Sequence, residues 1–216
     1  MSIIVDQFKK IQSNIDELKL DNPPKIIAVS KTFSLDHVKP IIAIGHKHFG
    51  ENKVQEATSK WQDLLLKDTS IKLHMIGKLQ TNKVKMAVRL FDYIHSVDSQ
   101  KLADALSKNE KQFNKKINYF IQVNVGNEIQ KSGIPTNEVD HFYTYCKNEL
   151  KLNIIGLMAI PPNDEETDKY FNYLSQHNKS LNLKELSMGM TSDYLKAANY
   201  RSTFLRIGSG IFGKRN

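Results

Sequence analysis

With 216 residues, 40% hydrophobic and 25% charged, the chain suits one compact domain over 1–216 with a substantial core. It has no apolar run near the roughly 20 residues that span a bilayer, and Met1 to Asp6 lacks a basic stretch followed by an apolar one, so a cytoplasmic protein without membrane contact is expected. The net charge of +8 would suit nucleic acid, but the densest pairs, Lys9-Lys10 and Lys115-Lys116, have no interleaved aromatics, which points to a solvated basic surface and no specific nucleic-acid site.

In chain order, Ile4, Phe8, Ile11, Ile15 and Leu18 fall at helical spacing and predict an amphipathic first helix that stops before Asn22-Pro23-Pro24. Strand-like runs rich in Ile, Val, Leu, Phe and Tyr follow near 25–31, 47–51, 72–77, 93–97, 118–125, 153–160, 184–188 and 204–208. Helical patterns lie between them: Val38/Ile41/Ile42, Val54/Trp61/Leu64/Leu65, Val84/Val88/Phe91, Leu102/Ala105/Leu106, Val139/Phe142/Cys146, Phe171/Leu174 and Leu195/Ala198. Ser34, Thr81, Ser99, Thr136 and Ser192 stand where N-caps are needed, and Pro40 should shorten or kink its helix. Cys146 is the only cysteine, which excludes an internal disulfide; its helical setting makes it a core thiol.

Eight strands alternating with helices predict an α/β fold, a single parallel (β/α)8 barrel preceded by an N-terminal helix; a doubly wound open sheet is the competing architecture. The sequence ends about six residues after the eighth strand, which leaves no room for a last helix, so the N-terminal helix is expected to fill that place in the outer ring.

In such a barrel, functional groups project from the C-terminal ends of the strands, and phosphate often rests on the loops after strands seven and eight. Lys31 occupies the first of these positions, at the end of an apolar β-branched run, where burial would favour a nucleophilic amine able to form a Schiff base. The last two strands run into Ser187-Met188-Gly189-Met190-Thr191-Ser192 and Arg206-Ile207-Gly208-Ser209-Gly210, where backbone amides and hydroxyls can close on an anion. Gly208 to Gly213 also spells Gly-x-Gly-x-x-Gly, but the helix, strand and acid that a dinucleotide site requires do not follow. His46 and His48 lack a third ligand, so no metal is expected. His74, by itself, reads as a hydrogen-bonded core histidine, and Arg206 needs a partner if buried.

At these residues the sequence resembles the pyridoxal 5'-phosphate homeostasis protein family. The likeness runs through Ala28-Val29-Ser30-Lys31-Thr32, Phe49-Gly50-Glu51-Asn52-Lys53-Val54-Gln55-Glu56, His74-Met75-Ile76-Gly77-Lys78-Leu79-Gln80-Thr81-Asn82-Lys83 and Lys131-Ser132-Gly133. It continues through Gly156-Leu157-Met158-Ala159-Ile160-Pro161, Ser187-Met188-Gly189-Met190 and Arg206 to Gly213. The resemblance implies a barrel like the N-terminal domain of alanine racemase, with pyridoxal 5'-phosphate on Lys31, Arg206 facing the pyridine nitrogen, Ser187, Gly208 and Ser209 around the phosphate, and Gly189 among the coenzyme-binding residues. Asn52 and His74 match positions close to the coenzyme. Thr191 stands where serine is common, Leu195 where an acid is usual, Arg201 where glycine is frequent, and Ser209 where threonine is common.

The function expected on this footing is reversible holding of the coenzyme, for buffering or for delivery to apo enzymes that use it, by a monomer without robust turnover of its own. A racemase or lyase using the same coenzyme is the alternative, and an interaction module acting through the basic surface is a third reading. An arginine at the pyridine nitrogen disfavours its protonation and weakens the electron sink that carbanion chemistry requires, which suits storage better than catalysis.

Overall fold

The computed structural model describes residues 2–128, 130–162 and 166–213. Eight parallel strands form a closed ring: β1 (Lys25–Val29), β2 (His48–Glu51), β3 (Lys72–Met75), β4 (Tyr93–Val97), β5 (Asn118–Asn124), β7 (Ile154–Met158), β8 (Glu185–Ser187) and β9 (Phe204–Ile207). Each pairs with the next and β9 pairs back onto β1, with Ala28 opposite Phe49 on one side and Ile207 on the other. The expected barrel is therefore the observed one, and the open sheet is excluded. β4 spans its whole apolar run, and the other strands are shorter than theirs by one to three residues.

Period-two alternation divides the strands between two environments. Ile26, Ala28, Phe49, Leu73, Ile94, Leu205 and Ile207 join the main core between sheet and helices. Ile27, Val29, Phe120, Met158 and Phe204 form a separate small cluster on the inner face.

The outer helices are α1 (Ile3–Asp16), α2 (Leu35–Ala43), α3 (Val54–Leu65), α4 (Val84–Leu90), α5 (Gln100–Phe113), α6 (Val139–Thr144), α7 (Thr167–Ser180), α8 (Tyr194–Asn199) and α9 (Ser209–Phe212). α1 buries Val5, Phe8, Ile11 and Ile15 and packs against α2, α8 and α9, so it takes the predicted place in the outer ring. α9 corrects the expectation that nothing helical follows the last strand: one turn forms directly after Gly208. A two-residue strand, β6 (Ile134–Pro135), was also not foreseen; it pairs with Val123 and Asn124 of β5 outside the ring.

Ser34 and Ser99 cap as expected, accepting from the amides of His37 and Leu102. Thr81 and Thr136 instead begin short 3-10 turns, and Asp193, not Ser192, precedes α8. α2 retains Pro40 and is nine residues long. Cys146 is the expected core thiol, fully buried and raised to about 12 by desolvation, with Asp104 adding to the effect.

Candidate functional site

The C-terminal end of β1 leads into a turn fixed from the helix side. The Ser30 amide donates to the Gly50 carbonyl at 3.0 Å and its hydroxyl to Glu51 Oε1 at 2.7 Å. Glu51 is fully buried, and the same oxygen accepts from Lys60 Nζ and Trp61 Nε1, both at 2.9 Å. Lys60 also donates to the Ser30 carbonyl at 2.7 Å. Thr32 then takes φ +71°, an uncommon value for a β-branched residue, with its amide given to Glu56 Oε1. Lys31 lies between these two anchored residues. Strand pairing ends at Val29, so Lys31 stands two residues beyond the strand that was expected to carry it, half-buried and not enclosed.

The loops after β8 and β9 are joined to each other. Thr191 Oγ1 accepts from Ser209 Oγ at 3.3 Å and from the Gly210 amide at 3.2 Å, so the two departures at 191 and 209 retain a hydroxyl pair. Gly189 has φ +89°, and a Cβ there would stand 2.5 Å from that of Ala197. Its carbonyl accepts from the Arg206 amide at 2.9 Å, which brings the β8 loop against β9. Gly208 rests against Val29: a Cβ would meet the Val29 Cβ at 3.4 Å and its carbonyl oxygen at 3.5 Å. The loop after β9 thus abuts the strand that leads to Lys31.

Arg206 is buried, and desolvation lowers its pKa to about 10, with Asp193 opposing the shift, so it remains a cation at neutral pH. Nη1 donates to the Ser187 carbonyl and hydroxyl, both at 2.7 Å, and Nη2 to the Ala159 carbonyl at 2.8 Å. No carboxylate pairs with it in these bonds; carbonyl and hydroxyl oxygens satisfy the buried charge.

Behind Ser187 a row of three imidazoles crosses the barrel interior beside the apolar inner cluster. His95 Nδ1 lies 2.9 Å from Ser187 Oγ, His95 Nε2 2.9 Å from His74 Nδ1, and His74 Nε2 2.9 Å from His48 Nδ1. His74 stacks on Tyr93 at 4.2 Å between centroids and His95 on Phe120 at the same distance. Burial drives the pKa of His74 and His95 well below the usual value; neighbouring His95, His48, His46 and Lys25 add to the effect on His74, and Arg206 adds to that on His95.

His46 precedes β2 and gives its Nε2 to the His48 carbonyl at 2.9 Å. Burial brings His46 down to about 4, and His48 as well, where His46, Lys25 and Lys72 contribute. No group of three metal-ligating residues exists among the described residues.

Asn52, just past β2, encloses an Oδ1 with no hydrogen-bond partner. Gly77 presses on it so closely that a Cβ would lie 2.5 Å from the Asn52 carbonyl oxygen. Ser187 ends β8, Arg206 lies within β9, and Lys31, Asn52, Gly189, Gly208 and Ser209 follow the C-terminal ends of β1, β2, β8 and β9. The sequence reading assigned no part to Glu51, Glu56, Lys60 or His95. A charged residue inside a strand run and an inward alternation of Tyr93 with His95 were the available signals. A groove of about 990 Å³ lies at the opposite end, lined among others by Lys25, Glu185, Thr203 and Arg201, and none of the predicted site residues borders it.

A closed parallel barrel whose last two loops are bonded to each other beside a lysine-bearing turn belongs to the class of (β/α)8 barrels. The chain belongs to the alanine racemase N-terminal domain family, whose model matches residues 7–216, and within it to the pyridoxal phosphate homeostasis proteins. Its relative of that description from Pasteurella multocida is 35% identical over 99% of this chain and 98% of its own length. PipY of Synechococcus elongatus, solved with PLP bound, is 32% identical, covers 97% of this chain and 100% of its own, and superposes with a TM-score of 0.84. Alanine racemase from Clostridium difficile shares the fold at 14% identity and a TM-score of 0.73, with 97% of this chain covering 57% of the racemase.

Proposed function

We propose that this chain binds pyridoxal 5'-phosphate, holds it through Lys31 as a reversible Schiff base, and takes part in intracellular homeostasis of the coenzyme without robust turnover of its own. The observation that carries the reading is the joined cradle of Thr191, Ser209 and Gly210 lying through Gly208 against Val29, two residues before Lys31. Both attachments of a phosphorylated aldehyde, anion site and amine, fall at one mouth. Names and bound ligand among relatives that match nearly the whole chain support the same conclusion.

The residues fit such a ligand. An enclosed Asn52 Oδ1 without a partner is an acceptor awaiting a polar group, since buried oxygens are otherwise hydrogen-bonded. Gly208, Ser209 and the Gly189 loop offer amides and hydroxyls to phosphate, and Arg206 is a permanent donor suited to an unprotonated ring nitrogen. His74 has both nitrogens engaged by imidazoles, so its part is to hold the interior together and not to bond the coenzyme. Alternation along β1 sends Ile27 and Val29 inward and Ser30 towards Glu51, which favours an inward course at Lys31. When bound, the coenzyme supplies an aldehyde for the reversible link and an electron-withdrawing ring. Ser30 and Thr32 orient the amine between them, and the turn's anchors resist its displacement.

The protein acts as one domain and as a monomer in the cytoplasm on this reading, delivering coenzyme to apo enzymes that require it. The test is visible absorbance of the coenzyme-loaded protein. Lys31→Ala abolishes the absorbance of the linked form while Lys60→Arg retains it; an unchanged spectrum in Lys31→Ala removes the reading. Sustained solvent deuterium incorporation at Cα of amino acids would instead favour a racemase or lyase.

A further inference from the structure

The interiors of parallel barrels are ordinarily filled by layers of branched apolar side chains. Here one continuous hydrogen-bonded chain crosses the interior from Arg206 and Ser187, at the C-terminal mouth, through His95 and His74 to His48, the first residue of β2 at the opposite end. His74 and His95 are fully buried and His48 is half-buried, so the chain leads from the site to the rim.

The bonds have a fixed sense. A guanidinium only donates, so Ser187 Oγ accepts from Arg206 Nη1. If His95 also donated to Ser187, the hydroxyl proton would be left buried without an acceptor; it is satisfied when Ser187 donates to His95 Nδ1. His95 is neutral, so its proton sits on Nε2 and is donated to His74 Nδ1. His74 in turn donates from Nε2 to His48 Nδ1, and His48 carries its proton on Nε2, the nitrogen away from the chain. Every donor points from the site to the rim. The cations facing this row are Arg206 at one end and Lys25 and Lys72 at the other, with His46 beside them; all oppose a resting charge on the imidazoles. Tyr93, Phe120 and Phe204 pack the rings and keep them aligned.

We infer that this row is a proton conduit, poised in its resting state to carry one proton from the ligand end of the barrel to its N-terminal rim. The second lone pair of Ser187 Oγ receives a proton, and the hydroxyl proton passes to His95 Nδ1. The His95 Nε2 proton then passes to His74 Nδ1, the His74 Nε2 proton to His48 Nδ1, and the His48 Nε2 proton to water. One proton enters and one leaves, no ring rotates and no other bond breaks; each imidazole ends with its proton on Nδ1, and the reverse passage on ligand release restores the resting row. The use for it rests on the coenzyme reading above: a ring nitrogen that accepts from Arg206 must be bare, so a protonated heteroaromatic ligand must shed a proton at this mouth. The conduit's sense removes a proton from that end.

The experiment has two arms. In the unliganded full chain, nitrogen-15 NMR of the imidazoles at neutral pH should show His48, His74 and His95 all neutral, with Nε2 protonated and Nδ1 bare. A protonated Nδ1 or a cationic ring at any of the three overturns the inference whether or not coenzyme binds. In the second arm, pyridoxal phosphate is mixed rapidly with wild type, His74→Phe and His48→Gln in light and heavy water. Phenylalanine keeps a ring over Tyr93, and glutamine keeps a donor and an acceptor at the rim but passes no proton on. The binding phase should slow about tenfold or more in each folded variant, and the wild-type solvent isotope effect should fall. Unchanged rates and isotope effect in folded variants that still bind through Lys31 reject the conduit alone; failure of wild type to bind rejects the coenzyme reading and leaves the NMR result to decide the conduit.

Discussion

Lys60→Met tests whether the turn that presents Lys31 is held by a buried ion pair. The Lys60 ammonium sits 2.9 Å from Glu51 Oε1, and the two side chains are 7% and 0% exposed. It also donates to the Ser30 carbonyl at 2.7 Å, so methionine removes two charge-assisted bonds and leaves a carboxylate in the core. Breaking one side of a buried pair costs about 3–5 kcal/mol. Ser30 Oγ and Trp61 Nε1 still donate to Oε1, which places the expected loss near the lower end, about 3 kcal/mol. That is a large share of the roughly 5–15 kcal/mol typical of a domain. Urea unfolding should show it as a lower midpoint with unchanged slope. The double variant Glu51→Gln/Lys60→Met leaves no buried charge, keeps an acceptor for Ser30 and Trp61, and should recover about 1 kcal/mol or more of the loss. A cost under about 1 kcal/mol, the size of a surface pair, or no recovery in the double variant, would refute the reasoning.

Acid should destabilise the protein early. The unfolded chain binds protons at His46 near pH 6.5 and the folded one only near 4, so stability is full above 6.5 and falls as pH drops towards 4; His46 alone accounts for about 2 kcal/mol by pH 5. His48, His74 and His95 act in the same direction, so a flat unfolding midpoint between pH 7 and 5 would contradict the burial described. Gly156→Ala should cost about 3 kcal/mol or more in thermal or urea unfolding, because its Cβ would stand 2.0 Å from the Glu185 carbonyl oxygen on the paired strand β8. Arg201→Gly should stabilise by about 0.5–1 kcal/mol, since position 201 has φ +65°; a loss measured by the same assay would show that the arginine side chain outweighs its backbone strain.

The barrel was legible in the sequence because most strands carry β-branched or aromatic residues and are closed by a turn or cap, as in Lys25 to Val29 ahead of Ser30, while the short β3 and β8 are marked by their place in the alternation with helices. The mouth was legible because (β/α)8 geometry sends strand ends to one side: Ser187 ends β8, Gly208 directly follows β9, and Lys31 lies two residues past β1. Lys60 was not, because a lysine on an amphipathic helix ordinarily belongs to the wet face; its burial depends on Glu51 arriving from β2. His95 escaped notice because its role exists only once β4 and β8 face each other across the interior, 92 residues apart in sequence. α9 was hidden by its glycines, which read as loop, and β6 by its length of two residues with Pro135 inside.

Stability and chemistry are assigned to opposite faces of the same strands. On β9, Leu205 and Ile207 enter the core under the helices while Phe204 and Arg206 face inward; on β3, Leu73 and Met75 do the former and His74 the latter. The helix-covered face carries most of the buried apolar side chains, so the inner face is free to accept groups that would ruin an ordinary core. Polar side chains there are tolerated because each is stacked and bonded: His74 on Tyr93, His95 on Phe120, and Arg206 against two carbonyls and a hydroxyl. A chain closed in this way is cooperative, since removal of any one imidazole leaves its neighbours with unpaired nitrogens. The same closure that stabilises the polar interior therefore also connects Arg206 to the far rim, and a substitution at His48 acts on the mouth without touching it.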